Sequence, residues 1–529
     1  MPEGFLILVL HCHLPYVRHP EHDDFLEEDW LFEAVAETYV PLLQMLERLE
    51  RDGVPARLTL SFSPTLCEML SNSLLRQRCV RYLRKRIELA HKEVGRTRSG
   101  PFSAAAGMYR DRYRDVLRTY EDHCGLELLR SFGGLAERGR IELIGSAATH
   151  ALLPLLGMEE SRRAQVSLGL RNFRKHFGAR PSGFWLPECA CEPGVDELLA
   201  GAGLHYFFVD THGVLLADPR PALGVFAPLA TPAGPFAFGR DVETSRQVWS
   251  ADEGYPGDPD YREFHRDLGF DAELDYVRPY LHANGVRRHL GFKYHRVTGD
   301  VPLEGKEPYD PQAGSARAAE HAADFVRQRL DQVSRVRRAT GIRPAIVAPY
   351  DAELFGHWWL EGLQFIERVF RLVSQHEDLV CLTPADYLNG DDAARQEGSP
   401  ATSTWGYGGY FESWVNGSND WMYGPLRSAE SRMARAAAQH PSADGLMRRA
   451  LNQCGRELLL AQSSDWPFLI SAGAARDYAT RRFSDLVGRF EDLMTQVEGD
   501  RIDPRRLQTC EGLDDPFAEM DYRAFADGS

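Results

Sequence analysis

The chain has 529 residues, more than one ordinary compact domain, and this length predicts a large body with one or two attached modules. Apolar residues make up 43% and charged residues 26%, as in folded globular proteins, so extensive disorder is excluded. The formal charge is −16 at pH 7, and an acidic chain repels nucleic-acid backbones and anionic lipid surfaces. We therefore expect neither nucleic acid nor a membrane as a partner.

The cysteines and the N-terminal segment bear on location. Nine cysteines are spread from Cys12 to Cys510 without a paired framework or a metal-binding spacing, which favours reduced thiols in a cytoplasmic protein. The apolar run that follows Glu3 is short and has no basic residues before it, so it predicts a buried strand and not a signal peptide. No segment is long and apolar enough to predict a membrane span.

Short β-rich runs alternate with longer helical patterns, which predicts a parallel α/β barrel. The runs are 5–13, 56–63, 140–150, 182–188, 205–210, 345–353 and 379–384. Most of them end in polar residues. Because the active site of such a barrel lies at the C-terminal ends of its strands, we expect the functional residues there.

The predicted domains follow from the same patterns. Residues 1–63 and 139–390 form the barrel, 64–138 a helical insertion, and 391–529 a C-terminal helical domain. Residues 213–300, rich in Gly, Pro and Asp, predict a long irregular segment that acts as a lid or binds a ligand. We expect the last thirty residues, which are acidic and weakly patterned, to be loosely ordered.

Two carboxylates leave hydrophobic strands in the same way. Glu188 follows the run FWLP, and Asp351 ends the run AIVAPYD. At one barrel rim such a pair can flank a glycosidic bond, with one group attacking the anomeric carbon and the other protonating the departing oxygen. The alternative for each residue alone is a solvated loop carboxylate or a structural ion pair.

Three histidines also stand at predicted strand ends. His11, His13 and His150, together with Asp351, match the ligand set of a zinc site. They also suit neutral donors to sugar hydroxyls. A third reading is that His11 and His13 share one face of a strand and only satisfy buried polar neighbours. The sequence leaves all three readings open.

Several tryptophans fall in predicted loops that also carry Gly, Asn and Asp. Flat aromatic rings suit the apolar faces of glucose units, so these residues are candidate platforms for a carbohydrate. The alternative is that they attach the C-terminal module to the barrel. The set is Trp30, Trp249, Trp405, Trp414 and Trp421.

Five ordered segments across some 410 residues resemble the motifs of glycoside hydrolase family 57. They are HCHLP (11–15), GSAATH (145–150), WLPECA (185–190), YDAELFGHWW (350–359) and YGGYFESWVNGSNDWMY (407–423). Longer segments, at 14–43, 239–267, 291–299 and 460–468, are similar to the glycogen branching enzymes of that family. The resemblance implies an incomplete (β/α)7 barrel with an inserted helical domain and a C-terminal helical domain.

The resemblance also implies roles for individual residues. Glu188 would be the nucleophile and Asp351 the general acid/base of a retaining transferase that cuts α-1,4-glucan and forms α-1,6 branches. The histidines named above would contact sugar hydroxyls, no cofactor or metal would be required, and we expect a monomer that acts on amylose, amylopectin or glycogen. Further glucan contacts are expected at Trp30, Arg262, Gly285, Trp405, Trp414 and Asp465.

A departure from the family pattern and four rival functions stay open. Branching enzymes of this kind usually carry a Tyr at the tip of a mobile loop, and 229–241 has none, which would shift transfer toward hydrolysis. An α-amylase or a 4-α-glucanotransferase of the same family is therefore an alternative. A metal-dependent polysaccharide deacetylase and a non-catalytic glucan-binding protein are rivals from other classes.

Overall fold

The strands of the described residues belong to one sheet. The structure is a computed structural model that describes residues 1–250, 253–391 and 393–526. Within these residues the strands are β1 (Gly4–Cys12), β2 (Leu58–Phe62), β3 (Ile141–Ser146), β4 (Gly183–Trp185), β5 (Tyr206–Val209), β6 (Leu229–Ala230), β7 (Phe236–Gly239), β8 (Ala345–Asp351), β9 (Leu379–Cys381) and β10 (Gln396–Glu397).

Seven of these strands are parallel neighbours in the order β7, β5, β4, β3, β2, β1, β8. In this register His11 lies between Ser61 of β2 and Asp351 of β8. The backbone N–H of Asp241, just after β7, donates to the Val347 carbonyl of β8 at 2.9 Å, so the sheet curls until its two edges approach each other. The predicted incomplete (β/α)7 barrel is confirmed.

The strands read as near-continuous apolar runs because helices or other strands cover both of their faces. All nine residues of β1, GFLILVLHC, are buried. Its side chains alternate between two cores, one of which contains Leu6, Leu8 and Leu10 and the other Ile7 and Val9. The polar side chains that are tolerated in this strand therefore stand at its C-terminal end.

The helices surround the sheet and extend beyond it. The first two are joined by a π-helical turn, Val35–Tyr39. The helices are α1 (Glu28–Ala34), α2 (Val40–Arg51), α3 (Pro64–Ser71), α4 (Ser73–Arg96), α5 (Ser103–Arg118), α6 (Leu128–Glu137), α7 (Glu159–Phe177), α8 (Val195–Gly201), α9 (Thr211–Leu215), α10 (Val242–Trp249), α11 (Leu268–Asp271), α12 (Leu274–Val277), α13 (Pro311–Thr340), α14 (Gly362–Val373), α15 (Pro384–Asn389), α16 (Tyr423–Gln439), α17 (Gly445–Ala461), α18 (Asp465–Ala472), α19 (Arg476–Glu498) and α20 (Pro504–Leu513).

The segment between β2 and β3, predicted as a helical insertion, forms α3 to α6. Local sequence explains the break between α3 and α4, because the Asn72 side chain accepts hydrogen bonds from the backbone N–H groups of Leu74 and Leu75 in the first turn of α4. The domain boundaries at residues 63, 138 and 390 stay predictions. No helix of the described chain combines the length and apolarity needed to cross a membrane.

The prediction that 213–300 is irregular is wrong at one point that matters for the site. Strand β7 lies inside this segment, beside β5, and brings Arg240 and Asp241 to the same sheet edge as the other polar residues. The strand has only four residues, follows Pro235 and ends in a glycine, so its local pattern resembles a loop. Its strand conformation depends on long-range pairing with β5.

The prediction of a loosely ordered C-terminus is also wrong for the described residues up to 526. Phe517, Tyr522 and Phe525 are buried in the core of the C-terminal helices. Gly455 of α17 makes room for this segment, because a Cβ there would lie 2.2 Å from Met520 Cε. The acidic composition of this segment did not indicate that a few apolar side chains anchor it in the core.

Candidate active site

Four strand ends bring ionisable side chains to one edge of the sheet. His11 and His13 come from β1, His150 from the loop after β3, Glu188 from the turn after β4, and Asp351 from β8. Parallel strands end at the same edge, so residues up to 340 positions apart in sequence meet there. The sequence prediction therefore located this group correctly, although the role of each residue stays a proposal.

Glu188 adopts a backbone conformation that is rare for a side-chain-bearing residue. Its φ of 59° and ψ of 21° lie in the left-handed region, as does the φ of Cys189. Such conformations cost free energy and persist where the surroundings enforce them, which is frequent at functional sites. The backbone N–H of Trp405 donates to the Glu188 carbonyl at 3.0 Å and helps to hold this turn.

The Glu188 carboxylate receives hydrogen bonds from two other segments. The indole Nε1 of Trp405 donates to Oε2 at 2.8 Å, and the Ser464 hydroxyl donates to Oε1 at 3.2 Å. Burial raises the pKa of Glu188, and the bond from Trp405 opposes that rise. Donors aimed at the carboxylate favour its ionised form, which is the form that a nucleophile needs.

Asp351 has the opposite surroundings. Burial raises its pKa well above the usual value, and the negative charges of Glu353 and Glu188 raise it further. Among the described residues no donor reaches its carboxyl group. The charge of Glu188 acts on Asp351, so the two carboxyl groups lie near each other, and a carboxyl kept protonated in this way suits a general acid.

The histidines form a hydrogen-bonded network between these carboxylates. Nε2 of His11 lies 2.9 Å from Nε2 of His150, and His150 Nδ1 lies 2.9 Å from the hydroxyl of Ser464. His13 bonds to the Asp465 carboxylate through Nε2 at 3.0 Å. The network therefore joins β1 and the loop after β3 to α18.

The three histidines of the network differ in protonation state. Burial, followed by the charge of His13, lowers the pKa of His11 and of His150, so both are neutral. Burial also lowers the pKa of His13, but the Asp465 carboxylate outweighs it and the net shift is upward. His13 is therefore the cation of the group and lowers the pKa of both Glu188 and Asp351.

A zinc site does not fit this arrangement, although one nitrogen of each histidine lies within 4.8 Å of the others. The rings of His13 and His150 are stacked, with centroids 3.8 Å apart and planes at 17°. Imidazole lone pairs lie in the ring plane, so stacked rings do not aim them at one ion. Both nitrogens of His13 also have partners, Ser63 and Asp465. The geometry supports the hydrogen-bonding reading.

The C-terminal helices complete the site. Asp465 is the first residue of α18, and its Oδ2 accepts from the Ser463 hydroxyl at 2.6 Å. Ser464 contacts both Glu188 and His150. Without this segment, Glu188 would lose one donor and His13 its counter-charge.

The tryptophans predicted as sugar platforms differ in their surroundings. Trp405 contacts Glu188 directly. Trp414 is only 1% exposed and packs with Leu152 and Ala190, so the prediction of a sugar platform is corrected: burial leaves it no open face. Trp30 lies in α1, not in a loop, and its ring meets Tyr478 of α19 edge-on at 5.9 Å. Both therefore match the alternative that tryptophans attach the C-terminal helices.

The remaining predicted glucan contacts make no hydrogen bond to Glu188 or Asp351. Trp249 ends α10 and Trp421 lies in a 3-10 turn, both with exposed rings. Arg262 is buried, and its Nη2 donates to the His357 carbonyl at 2.5 Å, while Nε and Nη1 have no partner among the described residues. Gly285 occupies an exposed turn with φ of 71°. No contact joins Gly285 to either catalytic carboxylate, and its role stays a prediction.

Sequence reasoning missed several site residues. Ser464 stands beside the predicted Asp465, and this adjacency was the available signal. Arg240 pairs with Asp210 at 3.2 Å and lies 5.7 Å from the Trp405 ring, yet it follows a strand too short to recognise. Tyr39 donates a hydrogen bond to Glu353 from the π-helical turn, and nothing in its local sequence indicates this role.

Comparison with known proteins agrees with this geometry. Residues 7–398 match the model of glycosyl hydrolase family 57, and residues 425–525 match that of the C-terminal domain of 1,4-alpha-glucan branching enzymes. A 1,4-alpha-glucan branching enzyme of Thermococcus kodakarensis is 33% identical over 97% of this chain and 77% of its own length.

Two solved structures are similar along their whole lengths. The alpha-amylase AmyC from Thermotoga maritima is 42% identical with a TM-score of 0.93, and 99% of each chain is covered. The branching enzyme from Pyrococcus horikoshii is 33% identical with a TM-score of 0.90, covering 100% of this chain and 97% of its own. On the extent of these matches, the chain belongs to glycosyl hydrolase family 57.

Proposed function

We propose that this protein is a retaining 1,4-α-glucan branching enzyme, with Glu188 as nucleophile and Asp351 as general acid/base. The observation that carries the proposal is the contrast between two neighbouring carboxyl groups at one edge of the sheet. Glu188 is held by hydrogen-bond donors, whereas Asp351 is kept protonated by burial and by neighbouring negative charge. Such a pair assigns the acid and the nucleophile by environment.

The first half-reaction cleaves an α-1,4 bond. The Glu188 carboxylate attacks C1 of the donor sugar as the C1–O4 bond breaks, and Asp351 gives its proton to the departing oxygen. The products are a glycosyl–Glu188 ester, a free chain end and an ionised Asp351. This geometry requires the two carboxyl groups to lie about 5 Å apart.

The second half-reaction forms the branch. Ionised Asp351 takes the proton from the 6-hydroxyl of an acceptor chain, the new C1–O6 bond forms, and the bond from C1 to Glu188 breaks. Two inversions at C1 retain the α configuration. His11 and His150 would contact hydroxyls of the donor sugar by exchanging a hydrogen bond of the present network for one to the sugar. Arg262 has two N–H groups without a partner among the described residues for a similar contact.

Hydrolysis is the second candidate, since water can replace the acceptor in the second half-reaction. The similarity to an α-amylase at 42% identity favours this alternative. The missing Tyr of 229–241 does not bear on it, because the turn 231–235 joins the start of β7, at the strand end opposite Arg240 and the other site residues.

The test is to incubate the purified protein with amylose and to count new α-1,6 linkages by debranching, alongside new reducing ends. We expect more branches than reducing ends, and the Glu188→Gln variant as the control should form neither. Reducing ends without branches would replace the proposal with an α-amylase. Lengthened linear chains without branches would replace it with a 4-α-glucanotransferase.

The proposal includes the setting of the reaction. Its partner is an α-glucan such as amylose, amylopectin or glycogen, and neither metal nor cofactor takes part. We place the enzyme in the cytoplasm as a monomer, and in glycogen synthesis. Light scattering tests the monomer, and activity that survives exhaustive chelation supports a reaction without metal.

A further inference from the structure

A half-exposed tryptophan lies in the loop that follows the catalytic strand β8. Trp358 is 50% exposed, whereas its neighbour Trp359 is 2% exposed. Its backbone N–H donates to the Glu353 carbonyl at 3.2 Å, and Gly356 N–H donates to the Trp359 carbonyl at 2.7 Å. Gly356 has φ of 104°, and a Cβ there would lie 2.0 Å from the Glu37 carbonyl oxygen. The loop is therefore held in one conformation.

The Trp358 ring rests on a second aromatic ring. Phe264 stacks on it with centroids 4.2 Å apart and planes at 28°. The Lys293 ammonium and the Arg262 guanidinium lie 4.7 and 5.6 Å from the Phe264 centroid, and the His357 ring meets Phe264 edge-on. One face of Trp358 is thus supported, and its exposed half leaves the other face open.

An open, rigid indole face is costly to keep in water. Covering such a face with a bound ligand removes apolar area from water and favours binding. A pyranose ring presents a flat patch of C–H groups that covers such a face, and the tryptophan N–H remains available to a hydroxyl. Since the ring is already fixed, little conformational entropy is lost when a sugar binds.

We infer that Trp358, supported by Phe264, forms a platform for the acceptor glucan chain, on the leaving-group side of the scissile bond. This inference rests on the proposed function. Its geometric basis is the position of Trp358: its backbone is hydrogen-bonded to Glu353, two residues after the acid/base. The acid protonates the oxygen of the departing chain, and the acceptor chain then takes that place. Trp405, by contrast, bonds to the nucleophile and adjoins the donor sugar.

The experiment measures branch formation and hydrolysis separately, on amylose with added maltooligosaccharide acceptors. Trp358→Ala should lower the rate of branch formation at sub-saturating acceptor about tenfold through a higher KM for acceptor, with the kcat of hydrolysis changed less than about twofold. Trp358→Phe, which keeps a flat ring, should recover most of the loss. Leu216→Ala removes a similarly exposed apolar side chain elsewhere and should change neither rate.

Binding provides an independent measurement. In the Glu188→Gln background, calorimetry with maltohexaose should show weaker affinity when Trp358→Ala is added. If the wild-type protein makes no branches, the proposed function fails, and this affinity still tests the platform. Phe264→Leu removes the supporting ring and serves as a second variant if Trp358→Ala does not fold.

Two outcomes would overturn the inference. Equal losses of hydrolysis and of branch formation would place Trp358 on the donor side or assign it a purely structural role. Unchanged affinity together with an unchanged ratio of branching to hydrolysis would show that the ring does not contact glucan.

Discussion

The surroundings of Glu188 and of Asp351 differ in where they come from along the chain. The donors to Glu188, Trp405 and Ser464, belong to segments that follow the barrel. Asp351 is influenced chiefly by the barrel itself, through burial and through Glu353 two residues later. Glu188, the proposed nucleophile, is thus stabilised as an anion by the C-terminal part of the chain, whereas Asp351, the proposed acid, is kept neutral by burial of its own strand and by Glu353.

This difference teaches how one sheet edge supports two opposite protonation states. Two equivalent buried carboxyls would compete for one proton, and their order of titration would be undefined. Here hydrogen bonds to the charged form oppose the rise in the pKa of Glu188, while like charge adds to the rise in the pKa of Asp351. Function therefore requires the C-terminal helices to be docked on the barrel.

The largest effect is expected when either carboxyl is replaced. Glu188→Gln and Asp351→Asn should each lower the rate on amylose by about a thousandfold or more, since each removes a group that takes part in bond making. The two variants should differ on a glucosyl substrate with an acidic phenol leaving group. That group needs little protonation, so Asp351→Asn should retain substantial activity in the first half-reaction, measured as a burst of phenol.

Glu188→Gln should show no such burst, because no ester can form. A burst from Glu188→Gln and none from Asp351→Asn would reverse the two assignments. Equal behaviour of both variants would remove the contrast on which the mechanism depends.

An intermediate effect is expected when the hydrogen-bond donor from Trp405 to Glu188 is removed. Trp405→Phe keeps the ring and removes the N–H, so the pKa of Glu188 should rise. Glu188 must be ionised to attack, and the acidic limb of kcat/KM against pH should move upward by about one unit, a tenfold loss at low pH. Trp414→Phe is the matched control, because the Trp414 N–H is buried without a partner among the described residues and its loss should not move this limb.

Much of the fold was predictable because the barrel strands carry local signals. Runs such as FLILVLHCH and AIVAPYD predicted β1 and β8 and placed Asp351 at a strand end. The strand β7 and the packed residues after 500 were missed because their structure depends on distant partners. Tyr39 and Ser464 were missed for the same reason, since hydrogen bonds across 314 and 276 positions leave no local pattern.

The smallest effect is expected at Glu353, whose negative charge contributes to the protonation of Asp351. The pKa of Glu353 is itself raised, mainly by burial, to about 7. Glu353→Gln keeps an oxygen to accept from Tyr39 and from the His13 backbone, and it removes only the charge. The pKa of Asp351 should therefore fall.

Asp351 must be protonated in the first half-reaction, so activity is lost as the pH rises through its pKa. A lower pKa moves this alkaline limb to lower pH, and we expect a shift of up to about one unit. Below about pH 7 wild-type Glu353 is itself protonated, so the two profiles should converge there. Glu361→Gln, which neutralises another buried carboxyl ten residues later, is the control and should move the limb less. An unchanged alkaline limb in Glu353→Gln would mean that burial alone keeps Asp351 protonated, and that its strand needs no neighbouring charge to make an acid.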